Sequence, residues 1–383
     1  MKNFSTKSNL VLWVLLIVSL MAFLAVENSK VEVKQRWYSE KLRASLLAKD
    51  AADYIRDYRL KGGIFVDVIN DPNETALIGQ EYTLTTTDRG YIEAKLSTTN
   101  PNFAAAIVDM LKEAGATKGD YIAIAYTGSF PGLNIATLAA IEVLQLKPII
   151  ISSVGASNFG ANDPYFTWLD MESYLFEKGV FNNKSIAASI GGGGDRGRGL
   201  SPEGRNLIIE SIKRNDVEFI NEYYLENSIN KRLEIYNRKS NGKPIKAYIN
   251  VGGGIASLGA SINGKLIPGG LSKIMDMQNY PVQGVIIKMA QEHYPIIHLL
   301  NISSLLAKYN LPNNPIPLPI PGEGAIFFEI KYNVLLTVII TLIIILLIGT
   351  VYTIDNRRHK LGSEYVQAGI VDNESHSKLK RAV

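Results

Sequence analysis

The stretch YIAIAYTGSFPGLNIATLAAIEVLQLKPIIIS (residues 121–152) decides the fold. An apolar run at 121–126 has the length of a buried strand. A small polar loop follows at 127–132, then an apolar helical stretch at 133–144. A second short apolar run closes the unit at 148–152. The alternation continues on both sides. Residues 63–69 (GIFVDVI), 185–190 (SIAASI) and 245–251 (IKAYINV) have strand character. Residues 102–114 have helical character and end at Gly115. Residues 202–214 form a helix with Ser201 as N-cap and Pro202 in its first turn. Residues 283–290 fit either a strand or the start of a helix. Apolar strands alternating with helices predict an α/β domain with a mostly parallel sheet. No repeat of fixed period is present.

Composition narrows the function classes. The 383 residues are 46% hydrophobic and 20% charged, which excludes a disordered chain. Forty basic against 36 acidic residues leave a net charge of +4, too balanced for a dedicated nucleic-acid binder. There is no cysteine, so disulfides, thiolate nucleophiles, Cys-ligated zinc and iron–sulfur clusters are excluded. Four histidines, with His359 and His376 near the C-terminus, make a His-rich metal site unexpected. No metal and no cofactor is expected.

A mean hydropathy of +0.06 is high for a wholly soluble chain. Two uncharged segments hold the excess, 10–26 (LVLWVLLIVSLMAFLAV) and 334–354 (VLLTVIITLIIILLIGTVYTI). A bilayer core needs about 20 helical residues, with a range of about 17–25. The first segment, preceded by Lys2 and Lys7, fits either a cleaved signal peptide or an uncleaved anchor. Its length, and the lack of an A-x-A pattern before Glu27, favour the anchor. Arg357, Arg358 and Lys360 follow the second segment, which predicts a cytoplasmic C-terminus and, with two spans, a cytoplasmic N-terminus.

The expected organisation follows. Residues 1–9 are a cytoplasmic N-terminus and 10–26 a transmembrane anchor. Residues 27–60 hold a membrane-proximal helix, with an apolar stripe at Leu42, Leu46, Leu47, Ala51, Tyr54, Ile55 and Tyr58. Residues 61–310 are a periplasmic or extracellular α/β domain. Residues 311–333 are a Pro-rich spacer, since LPNNPIPLPIPG (311–322) holds five prolines and favours a stiff extended form. Residues 334–354 are a transmembrane helix and 355–383 a cytoplasmic tail.

Ligands of open parallel sheets bind at the strands' carboxyl ends. Four strands here run into small, polar, Gly-rich loops. The first offers Thr127, Gly128 and Ser129, and the second Ser153, Ser157 and Asn158. The third, 191–199 (GGGGDRGRG), offers Asp195, Arg196 and Arg198. The fourth offers Gly252, Gly253, Gly254 and Ser257. Hydroxyls, backbone N–H groups near helix N-termini and two arginines suit an anion or carboxylate. The same loops also serve simply as strand–helix connections.

Three motifs fall short of their chemistry. GGGDRG (192–197) matches G-x-G-x-x-G but does not open a helix directly. GASINGKL (259–266) lacks the magnesium-binding hydroxyl of a P-loop, and its Asn263-Gly264 is a hairpin signal. Ser129 stands where an elbow nucleophile would, but GSFPG is not G-x-S-x-G. Its base would have to be His293 or His298, so Ser129 with His293 is the candidate catalytic pair and a binding hydroxyl or helix cap the plainer role. Asp163, Asp170 and Glu172 lie close in sequence, as acids on exposed turns often do.

The layout resembles the poly-gamma-glutamate system protein family. The resemblance is carried by the N-terminal anchor, TGSFPGLN (127–134), SVGASNFGAND (153–163), SIGGGGDRGRGLSPEGR (189–205), YINVGGGIASLG (248–259) and the C-terminal span. It implies a membrane-bound accessory protein of poly-gamma-glutamate synthesis or export. Its implied partners are the ATP-dependent amide ligase, that ligase's multi-pass membrane partner and the anionic polymer. It implies no catalytic residue. Two alternatives stand beside it: an exported serine-type hydrolase or transpeptidase that trims, releases or anchors the polymer, and a tethered small-ligand sensor.

Overall fold

The computed structural model describes residues 8–276 and 278–367. The expectations placed on Lys2, Lys7, His376 and the tail beyond 367 lie outside the described residues. In chain order the elements begin with α1 (Asn9–Glu27), β1 (Val31–Lys34), α2 (Tyr38–Lys61), β2 (Thr86–Asp88), α3 (Ile92–Thr98) and α4 (Phe103–Glu113). They continue with β3 (Tyr121–Thr127), α5 (Pro131–Val143), β4 (Lys147–Ser153), β5 (Ala156–Ser157), α6 (Trp168–Glu177) and β6 (Ala187–Ser189). Next come α7 (Pro202–Arg214), β7 (Glu218–Phe219), α8 (Leu225–Lys239), β8 (Ile245–Val251), α9 (Ile255–Leu258) and α10 (Asn263–Leu266). The chain ends with β9 (Gly270–Ser272), α11 (Val285–Gln291), β10 (Ile296–Leu299), α12 (Ile302–Tyr309), β11 (Phe328–Lys331) and α13 (Val334–Gln367).

The described residues divide into two units, 34–328 and the end segments 8–33 with 329–367. In the smaller unit α1 and α13 pack together. Both helices are long and apolar enough to cross a membrane, one near the N-terminus and one near the C-terminus. Lys30 pairs with Glu27, whose other oxygen accepts a 3.0 Å hydrogen bond from the Tyr332 hydroxyl.

The larger unit is built on a seven-stranded sheet of order β7-β6-β4-β3-β8-β10-β9. All pairings are parallel except β10 with β9. Alternation along each buried strand feeds two cores. Ile122, Ile124, Tyr126 and Ile249 enter the one covered by α2, α4 and α5, while Ala123, Ala125, Ile149 and Tyr248 enter the one covered by α8 and α11. The α/β architecture with a mostly parallel sheet is therefore present.

Several local expectations change. Val31–Lys34 is a strand, not the start of the long helix. The alternating VEVK pairs with β11, and Trp37, at φ 55, breaks the chain direction before α2 begins. The buried stripe of α2 is Ala44, Ala48, Ala51 and Ile55, so Leu46 and Tyr54 face outward, while Tyr58 packs on the rings of Phe166 and Tyr174 at 4.9 and 4.5 Å. Alanines let α2 approach α4 and α5 closely. Lys41, also buried on that side, is paired with Asp109 at 2.6 Å.

Residues 63–69 form no strand. The Asp67 carboxylate accepts the Ile69 N–H at 3.0 Å, an Asx turn that competes with a ladder. Phe65 and Ile69 are 84% and 87% exposed. Asn263-Gly264 forms no hairpin but opens α10, because the Asn263 amide donates to the carbonyls of Leu258 and Val282, each at 2.8 Å. Residues 283–290 resolve as the helix α11. The Pro-rich stretch is not a free spacer. Its carbonyls lack ladder partners and are taken by asparagine amides: Asn73 reaches Pro315 O at 2.8 Å and Asn102 reaches Ile320 O at 3.2 Å.

Candidate functional site

Because β6, β4, β3 and β8 are mutually parallel, their four Gly-rich loops emerge on one edge of the sheet. The loops are stitched together by backbone. Gly128 N–H donates to Ser153 O at 3.1 Å, Val154 N–H to Ser189 O at 3.0 Å, and Gly252 N–H to Leu299 O at 2.9 Å. Glycine is required at two of these crossings. A Cβ on Gly128 would lie 2.4 Å from Val154 O, and one on Gly252, at φ +89, would lie 2.1 Å from Thr127 Oγ1.

The candidates from sequence separate into buried and accessible sets. Thr127, Ser153, Asn158, Asp195 and Ser257 are buried. Thr127 donates to Val251 O at 3.2 Å, and Ser257 lies 2.6 Å from the Tyr248 hydroxyl. These hydroxyls hold the edge together. Ser129, Ser157, Gly254 and the exposed Arg196, Arg198 and Gly253 reach solvent. Arg196 stacks on the Tyr223 ring, its guanidinium carbon 4.3 Å from the centroid.

Asp195 is the centre of a buried network. Arg232, from α8, pairs with it at 3.0 Å, and both side chains are buried. Asp195 also accepts from Ser189 at 2.7 Å, Ser153 at 3.1 Å and Ser228 at 2.5 Å. Burial works against the guanidinium's charge, yet the Asp195 carboxylate holds its pKa above the ordinary value. Every charge in this cluster is compensated, so it is a fastening between the loop after β6, β4 and α8. Arg232 carried a faint sequence signal: it stands three residues from both Ile229 and Ile235 on the buried stripe of α8.

A second cluster lies beside the β3 loop. The segment before α3 is tied across the β4 loop by Asn162, which accepts the Gln80 N–H at 3.1 Å, and by the parallel pairing of β2 with β5. That placement brings Lys95, on α3, into the edge. Its Nζ is 2.8 Å from Ser157 Oγ, donates to the Ser129 carbonyl and lies 3.9 Å from the Phe130 ring centroid. Ser157 N–H donates to Ser129 Oγ at 3.0 Å. Burial pulls the Lys95 pKa down to about 7. Nothing in IEAKLST distinguishes Lys95 from a solvated lysine.

The structure does not bring Ser129 and His293 together. His293 precedes β10 at its amino end, whereas Ser129 follows the carboxyl end of β3, and both strands run parallel to β8. His298 is buried within β10, its Nδ1 3.0 Å from the Asn250 amide nitrogen. Burial lowers its pKa to about 4, against the opposing backbone of Gly264, so it is a neutral core residue. Glu172 is likewise buried, accepts the Ser185 N–H at 2.8 Å, and has its pKa raised to about 7 by burial. Asp170 completes the capping box of α6 and pairs with Arg214 at 2.6 Å.

No family model, curated protein or solved structure matches the chain.

Proposed function

We propose that the protein is a membrane-bound accessory component of a poly-gamma-glutamate synthesis or export system. In this reading residues 34–328 lie outside the cytoplasmic membrane and both termini lie inside. The sequence resemblance and the basic residues after the second span support it. The single structural observation that carries it is the joined loop edge of an α/β unit whose chain is bounded by two span-length apolar helices. Exposed Arg196 and Arg198 give that edge fixed positive charge for the free α-carboxylates of the polymer. The ligase and its multi-pass membrane partner are the proposed protein partners.

The test joins a pull-down from gently solubilised membranes with an assay of surface polymer in a deletion strain. Co-purification of the ligase or its membrane partner, with loss of surface polymer, is the expected result. No partner and unchanged polymer overturn the reading. Protease access to residues 34–328 in intact cells, with a protected C-terminus, tests the orientation.

One observation favours a second reading, acyl transfer on the polymer or its attachment point. It is the buried amine of Lys95 against the Ser157 hydroxyl on the joined loop edge.

A further inference from the structure

Lys95 is 2% exposed, and among the described residues no carboxylate forms an ion pair with it. An ammonium buried without a counter-charge is costly, and such groups neutralise instead. The surroundings fit a neutral amine. Nζ donates to the Ser129 carbonyl and lies 2.8 Å from Ser157 Oγ, close enough for a neutral amine to take the hydroxyl proton. Burial favours the same form. So does the positive end of α5, which begins at Pro131, just beyond the Phe130 ring that Nζ faces.

Ser157 is placed as a nucleophile needs. It sits on β5, registered against Asp88 of β2, with its N–H held by Ser129 Oγ. The hydroxyl is only partly buried. A Cβ on Gly90 would lie 2.8 Å from Ser157 Oγ and 3.2 Å from Lys95 Cε, so only a glycine allows the backbone to pack this closely against both groups.

We propose that Ser157 and Lys95 are a nucleophile and base for acyl transfer from an amide or ester carbonyl, with Ser129 positioning the nucleophile's backbone. Ser157 Oγ bonds to the acyl carbon while its proton passes to Lys95 Nζ. The bond from that carbon to the leaving nitrogen or oxygen then breaks, and the leaving group takes the proton from Nζ. Water or a second amine next attacks the acyl–Ser157 ester and gives its proton to Nζ. The Ser157 oxygen leaves and recovers that proton, which restores both groups.

The proposal rests on the acyl-transfer reading and specifies its chemistry. The test treats the intact protein in mild detergent with a fluorophosphonate probe, and peptide mass spectrometry locates the adduct. The expected adduct is on Ser157. It is absent in Ser157→Ala, and the labelling rate falls about 10²–10⁴-fold in Lys95→Met and in Lys95→Arg. Circular dichroism and the thermal midpoint establish that each variant is folded. No adduct on the wild-type protein, an adduct on Ser129 or another serine, or a fall below tenfold in a folded Lys95 variant overturns it. A fall of tenfold or more supports it.

The two levels separate cleanly. Labelling at Ser157 with normal polymer in a Ser157→Ala strain keeps the chemistry and removes the polymer as substrate. No labelling with polymer lost in the deletion strain keeps the accessory role and removes the pair.

Discussion

Arg232 and Lys95 are two buried cations on one edge of the same sheet, and they are buried differently. Arg232 faces a carboxylate and the hydroxyls of Ser153 and Ser189, and Asp195 also accepts from those two serines and from Ser228. Lys95 faces a carbonyl, a hydroxyl and an aromatic ring. Compensated charge in a buried pair acts as a fastening, because neither partner can leave without stranding the other. An amine buried without a counter-charge does not fasten in that way; burial pulls the Lys95 pKa down to about 7, which makes the group able to act as a base. Burial alone therefore does not separate a structural cation from a chemical one. The identity of the nearest acceptor does.

The largest expected effect breaks the Arg232 side of this contrast. Asp195→Ala leaves a buried guanidinium unpaired and is expected to cost about 3–5 kcal/mol, read by urea unfolding of the detergent-solubilised protein. If the pair is a fastening rather than a source of net stability, Asp195→Ala with Arg232→Met recovers most of that loss. Equal stability of Asp195→Ala and wild type would remove the distinction.

Lys95→Met is the matched perturbation on the other side. It removes hydrogen bonds to Ser129 O and Ser157 Oγ but also removes an unpaired basic group. At pH 7, where the wild type still carries nearly the full penalty of the buried amine, the variant is expected to be no less stable than the wild type. A loss comparable to that of Asp195→Ala would make Lys95 structural.

The pH dependence sharpens the same point. The folded pKa of Lys95 is about 7, against 10.5 for an unperturbed lysine. Between those values the unfolded chain binds the extra proton, so stability contributed at this site rises with pH across that window. Below about 7 both states are protonated and the full penalty of burying the cation applies. Unfolding free energies of wild type and Lys95→Met, compared at pH 7 and pH 10, should therefore shift in favour of wild type. A constant difference sinks the neutral-amine assignment.

The smallest effect belongs to the exposed arginines. Arg196→Ala with Arg198→Ala is expected to change stability by less than about 0.5 kcal/mol. The same double variant should weaken salt-sensitive binding of poly-gamma-glutamate to the intact protein, measured by co-sedimentation. Unchanged binding would detach the arginines from the polymer.

Much of this was legible in the chain. The apolar runs at 121–126, 148–152 and 245–251 appear as β3, β4 and β8, because seven-residue strands buried on both faces need little but side-chain hydrophobicity to be recognised. The two span-length segments were legible for the same reason. Where short polar side chains decide the backbone, the reading failed. Asp67 turned an apparent strand into a turn, and Asn263 turned an apparent hairpin into a helical start. The hydrogen bonds of one short side chain outweigh a weak local preference, and no periodicity announces them.

The site divides along the same line. Local pattern by itself determined that four Gly-rich loops follow apolar strands, and strand direction then required that parallel neighbours open on one edge. Which of the loop residues are buried, and which long side chains arrive from elsewhere, was decided only in three dimensions. Lys95 stands 34 residues before Ser129 and 62 before Ser157, and Arg232 stands 37 beyond Asp195. Their meeting depends on α3 being tied across the β4 loop and on α8 packing against the sheet. A lysine's chemistry is set by the dielectric and the acceptors around its amine, and those belong to the folded surroundings rather than to its neighbours along the chain.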